Sequence, residues 1–177
     1  MARRMSEAWG NYFFMIGSAA AALIGLMFVV VTLTAGRDRN EVERGKHLYT
    51  SPIVLHLTVI LVISGAAIAP DVNAKLFAIG CSCLALLGIA VGLRSAFGIA
   101  RRPGAPEAAT FDVLWYGVAP ALAYVGMAIA SAGMIETQPW GAGALAADLM
   151  ALLLVSIHAE WDLVTYLAPI ARPTDRS

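Results

Sequence analysis

The amino-acid sequence predicts an all-α, polytopic membrane helix bundle, and two observations support this fold class. Hydrophobic residues make up 59% of the 177-residue chain and charged residues only 14%, well below the roughly 25% of an ordinary soluble domain. The apolar residues also fall in long runs, and a bilayer core of about 30 Å needs about 20 helical residues to cross it. We therefore expect a single integral-membrane domain over residues 1–177.

Five apolar stretches are long enough to cross a membrane as helices. The first is much longer than the ~7–15 apolar residues of a secretory signal peptide, so we expect it to remain as a spanning helix. Gly36 is expected to end the first helix. Ser51 is expected to cap the second helix, with Pro52 in its first turn, and Thr110 can cap the fourth helix. Short segments rich in Pro and Gly separate the others, which favours antiparallel neighbours. The expected transmembrane helices are approximately 11–34, 51–69, 74–99, 112–135 and 142–167.

The distribution of Lys and Arg predicts the orientation of the chain. With the N-terminus outside and the C-terminus inside, the basic residues on the inner side are Arg37, Arg39, Arg44, Lys46, Arg94, Arg101, Arg102, Arg172 and Arg176. Only Arg3, Arg4 and Lys75 remain outside, so the positive-inside rule favours five spans in the N-out, C-in orientation. The pair Arg3 and Arg4 leaves an alternative open, in which the first span is re-entrant or the whole topology is inverted.

Small residues recur at helical spacing and predict close helix contacts. They are Ala21 and Gly25, Gly88 and Gly92, and Gly126 and Ala130. Close backbone approach is a main source of helix attraction in lipid. We expect packing within the bundle, with an oligomer interface through the GIAVG stretch at 88–92 as the alternative. Pro120 should bend the fourth helix, because it removes one backbone hydrogen bond.

The candidate site residues are ionisable side chains inside the apolar stretches, where such groups are costly and are retained mainly for function. At about 1.5 Å per residue, four of them lie in one layer near the inner side. His158 and Asp162 are four residues apart on one face of the fifth helix, Glu160 points to the opposite face, and Asp148 lies in the outer half. The layer consists of His56, Arg94, His158 and Asp162. The full set of candidates for ligand or ion binding is His56, Arg94, Asp148, His158, Glu160 and Asp162.

Each polar residue also has a structural interpretation that needs no ligand. Arg94 can extend to the inner headgroups, and Glu160 can lie where its helix emerges and pair with Arg94 or with bases of the inner loop. His158 can be a neutral hydrogen-bonding residue oriented by Asp162. The structural interpretation is the preferred one for Arg94 and Glu160, while two histidines at matching depth, with a carboxylate one turn from one of them, raise the case for a real site.

Three functions remain open at this point. The first is a non-enzymatic membrane protein that binds or conducts a proton, a cation or a small ligand, in which case a conduction path would need an oligomer. The second is a redox protein with a haem held by His56 and His158, or a transition metal held by His56, His158 and Asp162. The third is a structural accessory subunit of a larger membrane complex.

The sequence gives little support for an enzyme, a nucleic-acid-binding protein or a cysteine metal site. The chain has no G-x-S-x-G, H-E-x-x-H or Gly-rich phosphate motif, which disfavours an enzyme. The 12 basic and 12 acidic residues cancel, so the lipid bilayer, and not nucleic acid, is the expected partner. The only cysteines, Cys81 and Cys83, point to nearly opposite sides of a helix and cannot share a metal, so we interpret them as small buried apolar residues.

Three segments resemble a family of small, uncharacterised bacterial multi-pass inner-membrane proteins. These are SAAAALIGLMFVVVTL at 18–33, YTSPIVLHL at 49–57 and SIHAEWDLVTYLA at 156–168. The most specific part of the resemblance is the last segment, with His158, Trp161, Asp162, Thr165 and Tyr166. The resemblance implies a helical protein of a bacterial inner membrane, and it supplies no activity, cofactor or catalytic residue.

Overall fold

A computed structural model describes residues 2–34, 51–101 and 113–167, and the regular structure in these ranges is entirely helical. The five predicted helices are confirmed, with boundaries within two residues of the prediction except at the start of the first, which begins nine residues earlier. The helices are α1 (Ala2–Thr34), α2 (Ser51–Ile68), α3 (Ala74–Ala100), α4 (Leu114–Ile135) and α5 (Gly141–Leu167).

Four of the five helices are long and apolar enough to cross a membrane. The qualifying segments are Trp9–Val30, Ala74–Ala100, Leu114–Ile135 and Gly141–Thr165. The remaining helix, α2, is apolar but has only 18 residues, a length of about 27 Å at 1.5 Å per residue. The expected fifth span is thus present as a helix, and it is the shortest of the five.

Two short connections lie at the same end of the bundle, which we call the turn end, and we call the opposite end the distal end. The α2–α3 connection turns at Asp71, whose φ is 57°, and ends at Asn73. The Asn73 side chain caps α3 by accepting hydrogen bonds from the backbone N–H groups of Lys75 and Leu76, which α3 itself leaves unpaired. The distal end is the one that the sequence predicts to be cytoplasmic.

Several sequence predictions concern residues outside the described ranges. They include the stop at Gly36, the cap at Thr110 and most of the basic residues that set the predicted orientation, which are Arg37, Arg39, Arg44, Lys46, Arg102, Arg172 and Arg176. The N-out, C-in orientation therefore stays a prediction.

The helices pack with α5 between the other elements. Contacts of α5 extend to α1, α2 and α4, while α3 packs along α4 and also touches α2, and α1 packs along α2. The interior is apolar, and its largest fully buried side chains are those of Phe13, Ile16, Ile53, Leu57, Ile60, Ile63, Pro120, Tyr124, Met127, Leu145, Leu149 and Leu152.

Near Pro120, where we expect a bend, α4 contains a π-helical turn at Leu114–Val118, which ends two residues before the proline. The N–H of Ala119 donates to the carbonyl oxygen of Leu114, five residues earlier. Pro120 has no N–H to donate, and in a regular α-helix its ring would press against the carbonyl of Tyr116. The wider turn fits this constraint, since π turns insert one extra residue per turn.

The small residues of α3 and α4 pack inside the chain, as expected. A Cβ on Gly117 would lie 2.6 Å from the Cβ of Ala96, and one on Gly92 would lie 3.1 Å from the Cβ of Ala121. Gly88 and Gly92 are therefore used within the bundle. The prediction does not hold within the chain for Ala21 and Gly25, which lie on the exposed side of α1, with open space around Gly25.

The outer surface of the described bundle carries many large apolar side chains, as expected for contact with lipid. They occur on every helix and include Phe14, Phe28, Val62, Leu76, Leu86, Phe97, Leu122, Leu154 and Trp161. Length, hydropathy and surface agree, and the protein is a membrane helix bundle.

Candidate functional site

A buried hydrogen bond joins α2 to α4 in the interior. The Nδ1 atom of His56 lies 2.9 Å from the hydroxyl oxygen of Tyr124, and both side chains are buried. The Tyr124 ring lies directly against Gly88 of α3, where an added Cβ would overlap the ring atoms. His56, predicted as a ligand candidate, is thus held by a tyrosine that three helices position.

Glu160 is the acidic member of a set of buried polar residues in the described interior, the others being His56, Ser64, Ser131 and Ser156. Its side chain is only 6% exposed, and its Oε2 atom has no hydrogen-bond partner. Arg94, by contrast, is on the exposed side of α3, and no ion pair joins these two residues in the described part of the chain. Glu160 therefore lies inside the bundle instead of at the point where α5 emerges from it.

His56 and Glu160 lie at nearly the same height in the bundle. Gly17 of α1 packs against Ser64 of α2, and the Tyr12 hydroxyl of α1 donates to the carbonyl oxygen of Ala146 in α5. From these reference points, at about 1.5 Å per residue, His56 and Glu160 are within about one helical turn of each other. Because α2 and α5 are in contact, the two residues belong to the same distal half of the interior.

His158 and Asp162 take part in a separate cluster at the distal end of α4 and α5. The Tyr116 hydroxyl donates a hydrogen bond to Oδ2 of Asp162 at 3.1 Å, and the rings of Trp115 and His158 are 4.3 Å apart. The Nε2 atom of His158 is 3.4 Å from the same Oδ2, but the direction of this approach does not make a hydrogen bond. The two side chains are 36% and 39% exposed. We call Trp115, Tyr116, His158 and Asp162 the α4–α5 cluster.

Asp148 lies on the same side of α5 as Asp162, nearer the turn end. Its carboxylate occupies the space that the missing side chain of Gly126 leaves on α4, and an added Cβ there would overlap its Oδ1 atom. Asp148 and Asp162 are fourteen residues apart, about 21 Å along the helix. Both carboxylates thus face α4, Asp148 nearer the turn end of the α4–α5 contact and Asp162 nearer its distal end.

The structure separates the residues that the sequence suggested as metal or haem ligands. Within residues 2–34, 51–101 and 113–167, no three His, Cys, Asp or Glu side chains come together to hold a metal ion. His56 contacts Tyr124, whereas His158 and Asp162 contact residues near the start of α4. In this arrangement His56, His158 and Asp162 do not form one three-residue metal site.

The sequence did not indicate Tyr124, Trp115 or Tyr116 as site residues. A usable signal existed for Tyr124, because a tyrosine in the middle of an apolar span needs a hydrogen-bond partner for its hydroxyl. Pairing it with His56 could not follow from the sequence, since the order of helices around the bundle was open. For Trp115 and Tyr116, spacing alone could not indicate which α5 residues they contact.

Comparisons with known proteins add no relative. The chain matches no protein-family model, no curated protein and no solved structure.

Proposed function

We propose that this protein is a non-enzymatic integral-membrane protein that binds a proton or a small cation in the distal half of its interior, with Glu160 as the binding carboxylate. The observation that carries the proposal is the burial of Glu160 together with its unpaired Oε2 atom. A buried carboxylate without compensation is costly in a low-dielectric interior. A bound proton or cation removes that cost.

The His56–Tyr124 pair supports the same location. It supplies an imidazole and a hydroxyl within about one turn of the height of Glu160, on elements that surround α5. Both groups can donate or accept a hydrogen bond, so they can adjust to a change in the charge of the interior. We assign them a supporting role, without direct contact with Glu160.

Binding in one half of the bundle is favoured over conduction through a single chain. In the half of α5 nearer the turn end, the acidic residue is Asp148, about 21 Å from Asp162 along the helix. Midway between these two residues, on the side of α5 that carries both, lies Val155. An apolar side chain cannot relay a proton or coordinate a cation. A conduction path would therefore need groups from another side of the bundle, a second copy or another chain.

The test compares the wild-type chain with E160Q, which keeps the size of the side chain and removes its charge. Both proteins are purified in detergent, and the midpoint of thermal unfolding is measured over a pH series and over a NaCl and KCl series at constant ionic strength with choline chloride. The matched control is D71N, which removes an acidic group from the exposed α2–α3 connection.

The wild-type midpoint should rise with one specific ligand, and E160Q should lose that response. A ligand at 100 times its dissociation constant adds about 2.7 kcal/mol of stability. If the ligand is a proton, wild type should lose stability relative to E160Q as the pH rises, because the glutamate then becomes a buried charge. Identical responses of wild type and E160Q would contradict the proposal and favour a structural accessory subunit.

A further inference from the structure

The α4–α5 cluster lies on the side of α5 opposite to Glu160, at a similar depth. The apolar span of α4 begins at Leu114 and that of α5 ends at Thr165, so Trp115, Tyr116 and Asp162 are within about 5 Å of the distal end of their spans, and His158 is about one turn deeper. The first three residues are at the depth where lipid headgroups meet the hydrocarbon core. Two members, His158 and Asp162, are also open on one side.

The π turn of α4 positions the aromatic members of the cluster. Trp115 and Tyr116 both lie within the turn Leu114–Val118, and an extra residue in a turn rotates the side chains that precede it by about 100° relative to the rest of the helix. In this orientation the Tyr116 hydroxyl contacts Asp162 and the Trp115 ring contacts His158. Short π turns of this kind frequently occur at functional sites.

The cluster has the chemistry of a site for an organic ammonium group. Asp162 supplies a negative charge, and Tyr116 fixes its orientation through the bond to Oδ2. Electron-rich indole and phenol rings next to a carboxylate attract ammonium cations through their faces. Because the Nε2 atom of His158 does not hydrogen-bond to Asp162, the carboxylate keeps acceptor positions for a ligand.

The surroundings of the cluster indicate that the ligand is a lipid. Leu114 and Trp161 are large apolar residues on either side of the cluster, and they are 49% and 68% exposed. Side chains of this kind pack against acyl chains. An anionic headgroup would be repelled by Asp162, and a metal ion would lack a third protein ligand among the described residues.

We propose that the α4–α5 cluster binds the primary ammonium headgroup of a phospholipid such as phosphatidylethanolamine. The ammonium lies against Asp162 and the aromatic rings, where it donates to the carboxylate, and the acyl chains lie along Leu114 and Trp161. This site is distinct from the interior site at Glu160 and does not depend on it.

The experiment is native mass spectrometry of the purified full-length chain with added lipid. Wild type is titrated in separate arms with phosphatidylethanolamine, with phosphatidylglycerol of the same acyl chains, and with phosphatidylethanolamine in the presence of excess free ethanolamine. The variants are D162N, which removes the charge, and W115L, which keeps an apolar side chain and removes the ring. The control is D71N, a matched loss of one carboxylate at the turn end.

Wild type and D71N should bind phosphatidylethanolamine about tenfold more tightly than phosphatidylglycerol. D162N should lose this preference, and W115L should weaken it while the carboxylate remains. Free ethanolamine should displace little of the lipid. Equal binding of the two lipids by wild type, or an unchanged preference in both variants, would overturn the proposal, and complete displacement by ethanolamine would overturn its assignment to a lipid.

Discussion

Tyr124 of α4 and His56 of α2 are hydrogen-bonded at 2.9 Å across the interior, although α2 and α4 are not neighbours along the chain. The Tyr124 ring extends over Gly88 of α3, so a single side chain connects three helices. This contact ties α2 to α3 and α4, in addition to the packing of α1 and α2 against α5.

The variant Y124F should lower the free energy of unfolding by about 1–2 kcal/mol, because it removes the hydroxyl and leaves a buried histidine nitrogen without its partner. Unfolding by SDS in mixed micelles, followed by circular dichroism, measures this change. The comparison variant is Y12F, which removes a half-buried hydroxyl bond to Ala146 and should have a smaller effect. A Y124F protein as stable as wild type would show that the pair contributes nothing to the packing of α2.

The variant G88A should destabilise the bundle by about 1–3 kcal/mol, because the new methyl group overlaps the Tyr124 ring and forces it to shift. The control in the same helix is G80A, since Gly80 has no neighbouring atom within 4 Å. G80A should be neutral or slightly stabilising, because alanine is the better helix former. The difference between the two midpoints of thermal unfolding tests the prediction, and equal midpoints would contradict the α3–α4 contact.

The pair Gly126 and Asp148 should be energetically coupled. G126A should cost at most about 1 kcal/mol, because its methyl group displaces the end of the Asp148 side chain, and the double variant G126A/D148A should not show this cost. A double-mutant cycle of thermal unfolding measures the coupling. Strictly additive effects would mean that the carboxylate does not occupy the space beside Gly126.

The two cysteines should differ in their reaction with a small maleimide in detergent. Cys81 is buried and Cys83 is exposed, so a C81A protein, which retains Cys83, should be labelled in the folded state. A C83A protein, which retains Cys81, should be labelled at least about tenfold more slowly until it is unfolded, because the buried thiol reacts only from opened states. Equal labelling rates would contradict the orientation of α3.

The sequence predicted the helices well because the requirement to cross a bilayer dominates their composition. Proline and glycine near Ser51, Pro70 and Pro139 marked the ends of the apolar runs, and the observed helices begin and end close to them. The different orientations of Cys81 and Cys83 follow from the geometry of one helix, and for the same reason the expected burial is confirmed for Cys81 and wrong for Cys83, which is exposed.

The relations between helices could not be predicted in the same way. Depth along a helix follows from residue counting, and this count groups polar residues in the distal half. The direction in which each residue faces depends on the order of the helices around the bundle, which short loops do not determine. For this reason His56 and His158 share a similar depth yet contact different residues, and Ala21 and Gly25 lie outside the packed interface.

The shortness of α2 has a consequence for the surrounding membrane. With 18 residues, this helix is about 27 Å long, about 3 Å less than a typical hydrocarbon core. Lipids beside α2 must therefore compress, at a cost of a fraction of a kcal/mol for each ångström of mismatch. We expect the bilayer to be thinner along the α2 side than along the long helices α3 and α5, and the protein to partition into thinner membranes.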